Sequence, residues 1–262
     1  MANGRRWPRR PGDPVTDAPI RIEQRGGIAI VVLADPGGGN RMTPSAIRSL
    51  ADACARVADD GDIRVAVLTG MAGVFATGIV PLDAERPLPR PASLVAAIRK
   101  PVVAAIDGDC LDQGLELALA CDVRIAARGA RFGIRHVAQG MLPWDGGTQR
   151  LTRAVGRAHA LRLLLLADTI GVDEALALGL VEAAFEPPDL PAEALAFAER
   201  MARAAPIAAA YAKEAVSSGA EMPLPQGLRL EADLSVLLQS TADRAEGLAG
   251  FAQRRAPRFE GR

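Results

Sequence analysis

The sequence predicts a large α/β domain followed by a helical region. Short apolar runs, typical of buried strands, alternate with segments in which apolar residues recur every three or four positions, as in amphipathic helices. From residue 191 onward the strand-like runs stop, and Ala, Leu, Glu and Arg dominate. A chain of 262 residues, 49% of them hydrophobic, can fill a sizeable core. We therefore expect an α/β core over residues 20–190 and a helical region over residues 191–262.

The first 19 residues have the composition of a solvated tail. Four arginines and two aspartates give this segment a local charge of plus two, and four prolines prevent a regular helix. The segment lacks the apolar run of a secretory signal. We predict a disordered basic leader over residues 1–19, and a basic arm that binds RNA is the functional alternative.

The core begins with a predicted β-hairpin and a capped helix. Residues 20–23 and the apolar residues 28–33 flank Gly26 and Gly27, which supply the backbone freedom that a tight turn needs. Thr43 then precedes Pro44, as in a helix whose N-cap is followed by proline at the first helical position. Further apolar runs consistent with buried strands lie at residues 65–68, 102–106, 123–126 and 181–185.

The region after residue 191 is predicted to form three or four helices. The residues that separate them are Pro206, Gly219, Pro223 and Pro225. Helices with so many apolar positions are not stable alone and have to pack on another surface.

Residues 100–151 concentrate the features that point to chemistry. The apolar run 102–106 ends at Asp107 and Gly108, and a short helix is predicted to start near Gln113 and Gly114. The free amides at such a helix start carry partial positive charge and suit a carbonyl oxygen that becomes negative during a reaction. Glu116 lies in the same first turn. An acid/base group and an oxyanion site would therefore share one wall.

Seven short runs, in a fixed order, carry a family resemblance. They are Asn40, Arg41 and Met42 before a helix; VAVLTG (65–70); VFATG (74–78); KPVVAAIDG (100–108); LELALACD (115–122); ARFGI (130–134); and GGTQRL (146–151) followed by AVGRAHAL. Together these runs resemble the enoyl-CoA hydratase/isomerase, or crotonase, family over most of residues 20–260. The resemblance implies an α/β spiral of ββα units with a C-terminal helical region, which folds over the active site and between subunits in trimers or pairs of trimers.

The same resemblance implies which residues carry the reaction. It places the two oxyanion-hole amides at Ile79 and Gln113, and Glu116 at the first catalytic glutamate of the hydratases. These amides would hold the oxygen of a CoA thioester while acid/base groups move protons at the α and β carbons. Without the resemblance, Glu116 is a first-turn glutamate that satisfies helix amides. The residues implied to contact the substrate are Asn40, Met42, Ala76, Gly78, Gly114 and Trp144.

Two of the candidate acid/base positions depart from the family pattern. His136 stands where hydratases and isomerases carry a second glutamate; a neutral imidazole can exchange a proton near pH 7, or the ring can simply bond to backbone or solvent. Asp145 lies one residue after Trp144, which occupies the position where some relatives place an acid. Asp145 is thus a third catalytic candidate, or else a turn former or the cap of the helix that contains residues 148–155.

The second oxyanion-hole amide also differs from the family, because Asp112 and Gln113 replace glycines there. A side chain at this turn could narrow the pocket or demand a backbone angle that glycine accepts more readily. The stretch from Gly78 to Lys100 is rich in proline and is predicted to be an extended loop, where typical hydratases have a helix over the acyl pocket.

Composition excludes several classes of protein. The 31 basic and 31 acidic residues balance, so a general affinity for nucleic acid or membranes is not expected. Cys54, Cys110 and Cys121 are odd in number and lack a C-x-x-C pair, which favours buried, reduced thiols in a cytoplasmic protein. The two histidines form no ligand-spaced cluster, so we predict neither a metal nor a cofactor beyond the CoA of the substrate.

The functional hypothesis is a 2-enoyl-CoA hydratase-like lyase with Glu116 as its main acid/base group. An isomerase or decarboxylase that stabilises the same enolate is the alternative among enzymes. A family member that binds acyl-CoA without efficient turnover is the alternative from another class.

Overall fold

The computed structural model describes residues 18–35, 38–71, 73–78 and 89–262. The predicted leader falls outside these ranges except for residues 18 and 19, and Ile79 also falls outside them. Ten strands lie within the described residues: β1 (Ile20–Arg25), β2 (Ile28–Leu33), β3 (Val65–Thr69), β4 (Val74–Ala76), β5 (Val102–Ile106), β6 (Asp109–Leu111), β7 (Val123–Ala127), β8 (Arg131–Gly133), β9 (Ile170–Gly171) and β10 (Ala183–Phe185).

The same ranges contain nine α-helices and a short 3₁₀ helix over His136–Gln139. The α-helices are α1 (Pro44–Asp59), α2 (Pro91–Ala96), α3 (Gln113–Leu119), α4 (Gly147–Leu166), α5 (Val172–Ala177), α6 (Leu190–Ala202), α7 (Pro206–Gly219), α8 (Leu224–Leu238) and α9 (Ala242–Gln253).

The strands form two sheets, and the chain passes repeatedly from the larger sheet to the smaller one. The larger sheet has the order β1-β2-β3-β5-β7-β10, with β1 antiparallel to β2 and all other pairs parallel. The smaller sheet has the order β4-β6-β8-β9. Each parallel strand β3, β5 and β7 of the larger sheet is followed by a strand of the smaller sheet and then by a helix. This is the ββα spiral that the family resemblance implies.

The larger sheet has buried apolar side chains on both of its faces. On β2, Val31 and Leu33 belong to the core shared with α1 and α3, whereas Ile30 and Val32 point to the opposite face. Helix α6 covers that opposite face with its own buried residues Leu190, Ala194 and Ala198. The continuous apolar runs seen in the sequence are therefore strands with two buried faces.

Two sequence predictions need correction. The stretch before Lys100 was expected to be an extended loop, but its described part contains the helix α2, which starts with Pro91 at its first position. Proline suits that position because its missing N–H has no partner in a helix start. The strand predicted over residues 181–185 is shorter, since β10 covers only Ala183–Phe185.

The C-terminal region consists of four helices, α6 to α9, which fits the prediction of three or four. Only α6 is strongly buried; every residue of α7 is at least partly exposed, and Leu234 is the one buried residue of α8. Several large apolar side chains on α7 to α9 are exposed: Val216, Leu224, Leu228, Val236, Leu237, Leu248 and Phe251. Across the described residues, the helices are too short or too polar to cross a membrane.

Candidate active site

Helix α3 begins in close contact with the end of β4. A Cβ atom added to Gly114 would lie 2.1 Å from the carbonyl oxygen of Ala76, so only glycine fits there. One residue earlier, the Gln113 amide donates to the carbonyl of Gly78 over a long 3.4 Å. The start of α3 therefore lies beside the segment that leads into Ile79, the other predicted oxyanion-hole residue, which is outside the described residues.

Glu116, in the first turn of α3, is buried and only half satisfied. Its Oε1 accepts the backbone amides of Asp145 at 2.8 Å and Gly147 at 2.9 Å. Its Oε2 is inaccessible and has no hydrogen-bond partner among the described residues. Burial raises the pKa of this carboxyl, while the two backbone amides oppose the rise. A buried carboxylate oxygen without a partner requires an explanation, and a reacting molecule is one.

His136 is also fully buried, and its ring has no hydrogen-bond partner among the described residues. Neither Nδ1 nor Nε2 of the ring has a hydrogen bond to the described part of the chain. Burial lowers the pKa of the imidazole, the charge of Asp112 raises it and the charge of Arg135 lowers it. The ring is therefore mainly neutral at pH 7, with one nitrogen able to accept a hydrogen bond and the other to donate one.

Asp112 and Arg135 link the segments that carry Glu116 and His136. The carboxylate of Asp112 accepts the backbone amide of Arg135 at 2.7 Å and its Nη2 at 2.5 Å. The carbonyl of Asp112 accepts the amide of Glu116 at 3.2 Å. In the sequence, Asp112 was notable only because it replaces a glycine of the family pattern. The sequence did not predict its ion pair with Arg135, which lies 23 positions later. The one available signal was that Arg135 directly precedes His136.

Asp145 has a structural position that differs from the one expected. Its Oδ2 accepts the amide of Ala92 at 2.5 Å, and its Oδ1 accepts both the amide and the hydroxyl of Ser93. Asp145 thus caps the N-terminus of α2, not that of α4, where Gly146 is the N-cap. Burial raises its pKa and these bonds oppose the rise. A catalytic role for Asp145 stays a prediction, and both of its oxygens are already engaged.

Trp144 lies beside the same turn with its indole partly buried. Its Nε1 is inaccessible and unpaired within the described chain, and the guanidinium of Arg90 lies 6.0 Å from its ring centroid. Arg90 itself is exposed. The pair therefore combines an apolar surface, an unused donor and a cation.

Three of the predicted substrate contacts, Asn40, Met42 and Ala76, are buried side chains. Asn40 uses its side-chain nitrogen to bond the carbonyls of Val74 and Phe75, at 2.8 and 3.1 Å, and so holds β4 in place. Met42 and Ala76 are buried in the main core. Contact of these residues with a substrate stays a prediction, as it does for Gly78 and Gly114.

The three cysteines are buried and unbridged. Burial raises the pKa of Cys54 and Cys121 to about 12, so neither is a reactive thiolate near neutral pH. The described residues contain no cluster of three or more His, Cys, Asp or Glu that could hold a metal ion.

Comparison with known proteins agrees with this architecture. The family model described as enoyl-CoA hydratase/isomerase matches residues 23–262. An (E)-benzylidenesuccinyl-CoA hydratase of Thauera aromatica is 39% identical over 258 residues, covering 93% of this chain and 99% of that protein. A 2,3-dehydroadipyl-CoA hydratase of Escherichia coli K12 is 38% identical over 245 residues, covering 90% and 96%.

The fold is shared with solved enoyl-CoA hydratases. The structure from Bacillus anthracis superposes with a TM-score of 0.87 at 31% identity, covering 93% of this chain and all of the other. An enoyl-CoA hydratase from Mycobacterium tuberculosis H37Rv gives the same TM-score at 30% identity, covering 94% of this chain and 100% of that chain. Over nearly its whole described length, this chain belongs to the enoyl-CoA hydratase/isomerase family.

Proposed function

We propose that the protein catalyses the reversible addition of water to a 2-enoyl-CoA thioester, with Glu116 transferring the proton and His136 orienting the water. The observation that carries this proposal is the asymmetry of Glu116. Two backbone amides clamp its Oε1, which fixes the carboxyl, while its buried Oε2 is left to meet a reactant. A fixed carboxyl with one available oxygen is what a general acid/base requires.

The proposed reaction uses each group in turn. The thioester oxygen takes hydrogen bonds from the amide of Ile79 and from that of Gln113, which exchanges its long 3.4 Å bond to the Gly78 carbonyl for the thioester. Both bonds stabilise the enolate as it forms. Oε2 of Glu116 accepts a proton from water while the water oxygen bonds to the β carbon. The protonated Glu116 then returns a proton to the α carbon, so that the elements of one water molecule are added. Neutral His136 accepts the second hydrogen bond of the attacking water, which orients its lone pair toward the substrate.

A panel of enoyl-CoA thioesters tests this assignment. We expect the absorbance of the conjugated double bond to fall and the product to gain the mass of one water. Loss or movement of the double bond without a mass gain would instead indicate an isomerase. Loss of carbon dioxide from a carboxylated thioester would indicate a decarboxylase. Tight binding of thioesters without any conversion would identify a non-catalytic acyl-CoA binder.

A substrate with a second carboxylate is the specific acyl class that we propose. The names of the two relatives described above refer to succinyl and adipyl groups, both derived from dicarboxylic acids. Here the exposed Arg90 beside Trp144 offers a cation for such a carboxylate. We expect Arg90→Ala to raise KM for a carboxylated enoyl-CoA by about 10-fold, and to leave KM for crotonyl-CoA unchanged. An equal effect on both substrates would contradict this role.

Self-association through the C-terminal region is a further part of the proposal. The exposed apolar side chains on α7 to α9 support it, because apolar patches of this kind usually mark an interface. Light scattering coupled to size exclusion should give a trimer or hexamer mass, and Phe251→Glu, at a side chain that is 86% exposed, should lower it. A monomeric mass for the unaltered protein would contradict the proposal.

A reducing, cytoplasmic location fits the three buried free thiols. Cell fractionation checks it: we expect the protein with other cytoplasmic proteins, and recovery in a membrane or extracellular fraction would refute the location.

A further inference from the structure

Asp112 has a backbone conformation that normally belongs to glycine. Its φ of 56° and ψ of −119° match the first central position of a type II′ turn, where a side chain is strained. The carbonyl of this residue accepts the amides of Leu115 and Glu116 at 3.1 and 3.2 Å. The strained residue therefore forms the entry to the first turn of α3.

The carboxylate of Asp112 is bonded to Arg135. Its side chain is 1% exposed, and it accepts the backbone amide, Nε and Nη2 of Arg135. The Asp112 amide also donates to the carbonyl of Gly133 at 2.7 Å. A charge-assisted fork together with two main-chain bonds gives this contact a defined geometry. It joins the entry of α3 to the chain that leaves β8.

The position of His136 depends on this junction. Arg135 is the N-cap of the 3₁₀ helix, and His136 is its first residue. The imidazole has no hydrogen bond of its own within the described chain, so the orientation of the ring follows from its backbone and from packing. Asp112 is thus bonded on one side to the turn of Glu116 and on the other to the residue that precedes His136.

We infer that the Asp112–Arg135 ion pair is a positioning element that sets His136 against Glu116 and the Gln113 amide. The inference rests on the proposed function, in which these three groups act on one substrate. Neither Asp112 nor Arg135 exchanges protons with the substrate, because the carboxylate is already engaged by the guanidinium and the backbone. Their effect on turnover is exerted through the residues that they hold.

The chain offers a matched control for this inference. Asp109 and Arg131 form the same kind of fork on the strands that precede Asp112 and Arg135, β6 and β8, with both bonds at 2.7 Å. The Arg131 side chain is 60% exposed, and this pair is bonded to neither Glu116 nor the residue before His136. Asp109→Asn therefore removes a more exposed ion pair of the same geometry and leaves every hydrogen bond between Asp112 and Arg135 in place.

Kinetics of matched variants give the first test. We expect Asp112→Asn and Arg135→Gln each to lower kcat by about 10- to 100-fold with little change in KM, since small displacements of acid/base groups have effects of this size. The double variant should be no worse than either single variant. Asp109→Asn should retain the kcat of the unaltered protein. Arg135→Gln alters a partly exposed side chain and so decides the matter if Asp112→Asn does not fold.

A spectroscopic readout separates this inference from the proposed function. His136 and His159 are the only histidines, so ¹³C labelling of the rings gives two signals. We expect the His136 signal to move in Asp112→Asn and Arg135→Gln, and to stay in place in Asp109→Asn. An unmoved signal, or full kcat in both variants, would overturn the positioning role. A lack of hydratase turnover in the unaltered protein would instead refute the proposed function.

Discussion

Two carboxylates, one in the first turn of α3 and one in the turn before α4, are alike in burial and in the direction of their pKa shifts but differ in their hydrogen bonds. Glu116 and Asp145 are 1% and 2% exposed, and burial raises the pKa of both. Both oxygens of Asp145 are bonded to the start of α2, whereas Oε2 of Glu116 has no partner in the described chain. Burial therefore does not distinguish the proposed acid/base group, Glu116, from the carboxylate that caps α2; their hydrogen-bond partners do.

The two turns are nevertheless parts of one arrangement. The amide of Asp145 donates to Glu116, and a Cβ added to Gly147 would lie 3.0 Å from the Oε1 and Cγ atoms of Glu116. The turn before α4 thus holds the Glu116 carboxyl in place through its backbone amides. Its side chain stabilises the fold by capping another helix.

The largest expected effect comes from removing the titrating group of Glu116. Glu116→Gln keeps the shape and the acceptor for the two amides but loses the proton carrier, so kcat should fall by about 10² to 10⁴ with KM little changed. Asp145→Asn is the matched control and should lower kcat far less. Steady-state hydration kinetics give kcat for both variants. Equal losses of kcat would contradict different roles for the two carboxylates.

His136→Gln should lower kcat by about 10-fold, because it weakens the orientation of water without removing the proton carrier. In the unaltered protein, an acid limb should appear below the usual imidazole value of 6.5, since burial lowers this pKa and protonation removes the acceptor nitrogen. A pH profile of kcat for both proteins checks this, and a limb that persists in His136→Gln would assign it to another group.

His136→Glu sharpens the same comparison by restoring the family residue. A gain in hydration would mean that the site is a weakened hydratase with a misplaced imidazole. We expect a loss, because a buried carboxylate at this position would be repelled by the charge of Asp112, which acts on the His136 ring. Hydration rates on one enoyl-CoA at several pH values distinguish the two results.

Asp145→Ala should mainly affect stability. Losing the cap leaves the amides of Ala92 and Ser93 without their acceptor, which costs about 1–3 kcal/mol of the free energy of unfolding. Urea unfolding gives this quantity, and Ser45→Ala, at an exposed helix start, serves as the control. A stability equal to that of the unaltered protein would show that the α2 cap is dispensable.

The smallest expected effect is a pH dependence of stability due to Glu116. A carboxyl with a raised pKa binds its proton more tightly in the folded state, so its contribution is fully present below about pH 4.5 and is lost as pH rises through the raised pKa. Glu116→Gln should therefore gain stability relative to the unaltered protein between pH 4 and pH 8. A difference that is constant over this range, measured by urea unfolding, would contradict the pKa shift.

The sequence by itself determined the elements whose signals are local. The hairpin of β1 and β2, the Thr43-capped α1, the strand β5 and the start of α3 at Gln113 are all present as predicted. Each is specified by residues within a few positions of one another, such as paired glycines, a capping hydroxyl or a continuous apolar run. The ββα spiral and the family followed from the resemblance that the ordered motifs carry, and both are confirmed.

Only the tertiary structure decided the pairings between distant segments. The strands of the smaller sheet have two or three residues, too few for an apolar pattern to show. Helix α2 obtains its cap from Asp145, more than 50 positions later, and Asp112 obtains its partner from Arg135. Hydrogen bonds between residues so far apart leave no periodic trace in the sequence, because folding alone brings the two partners within 3 Å.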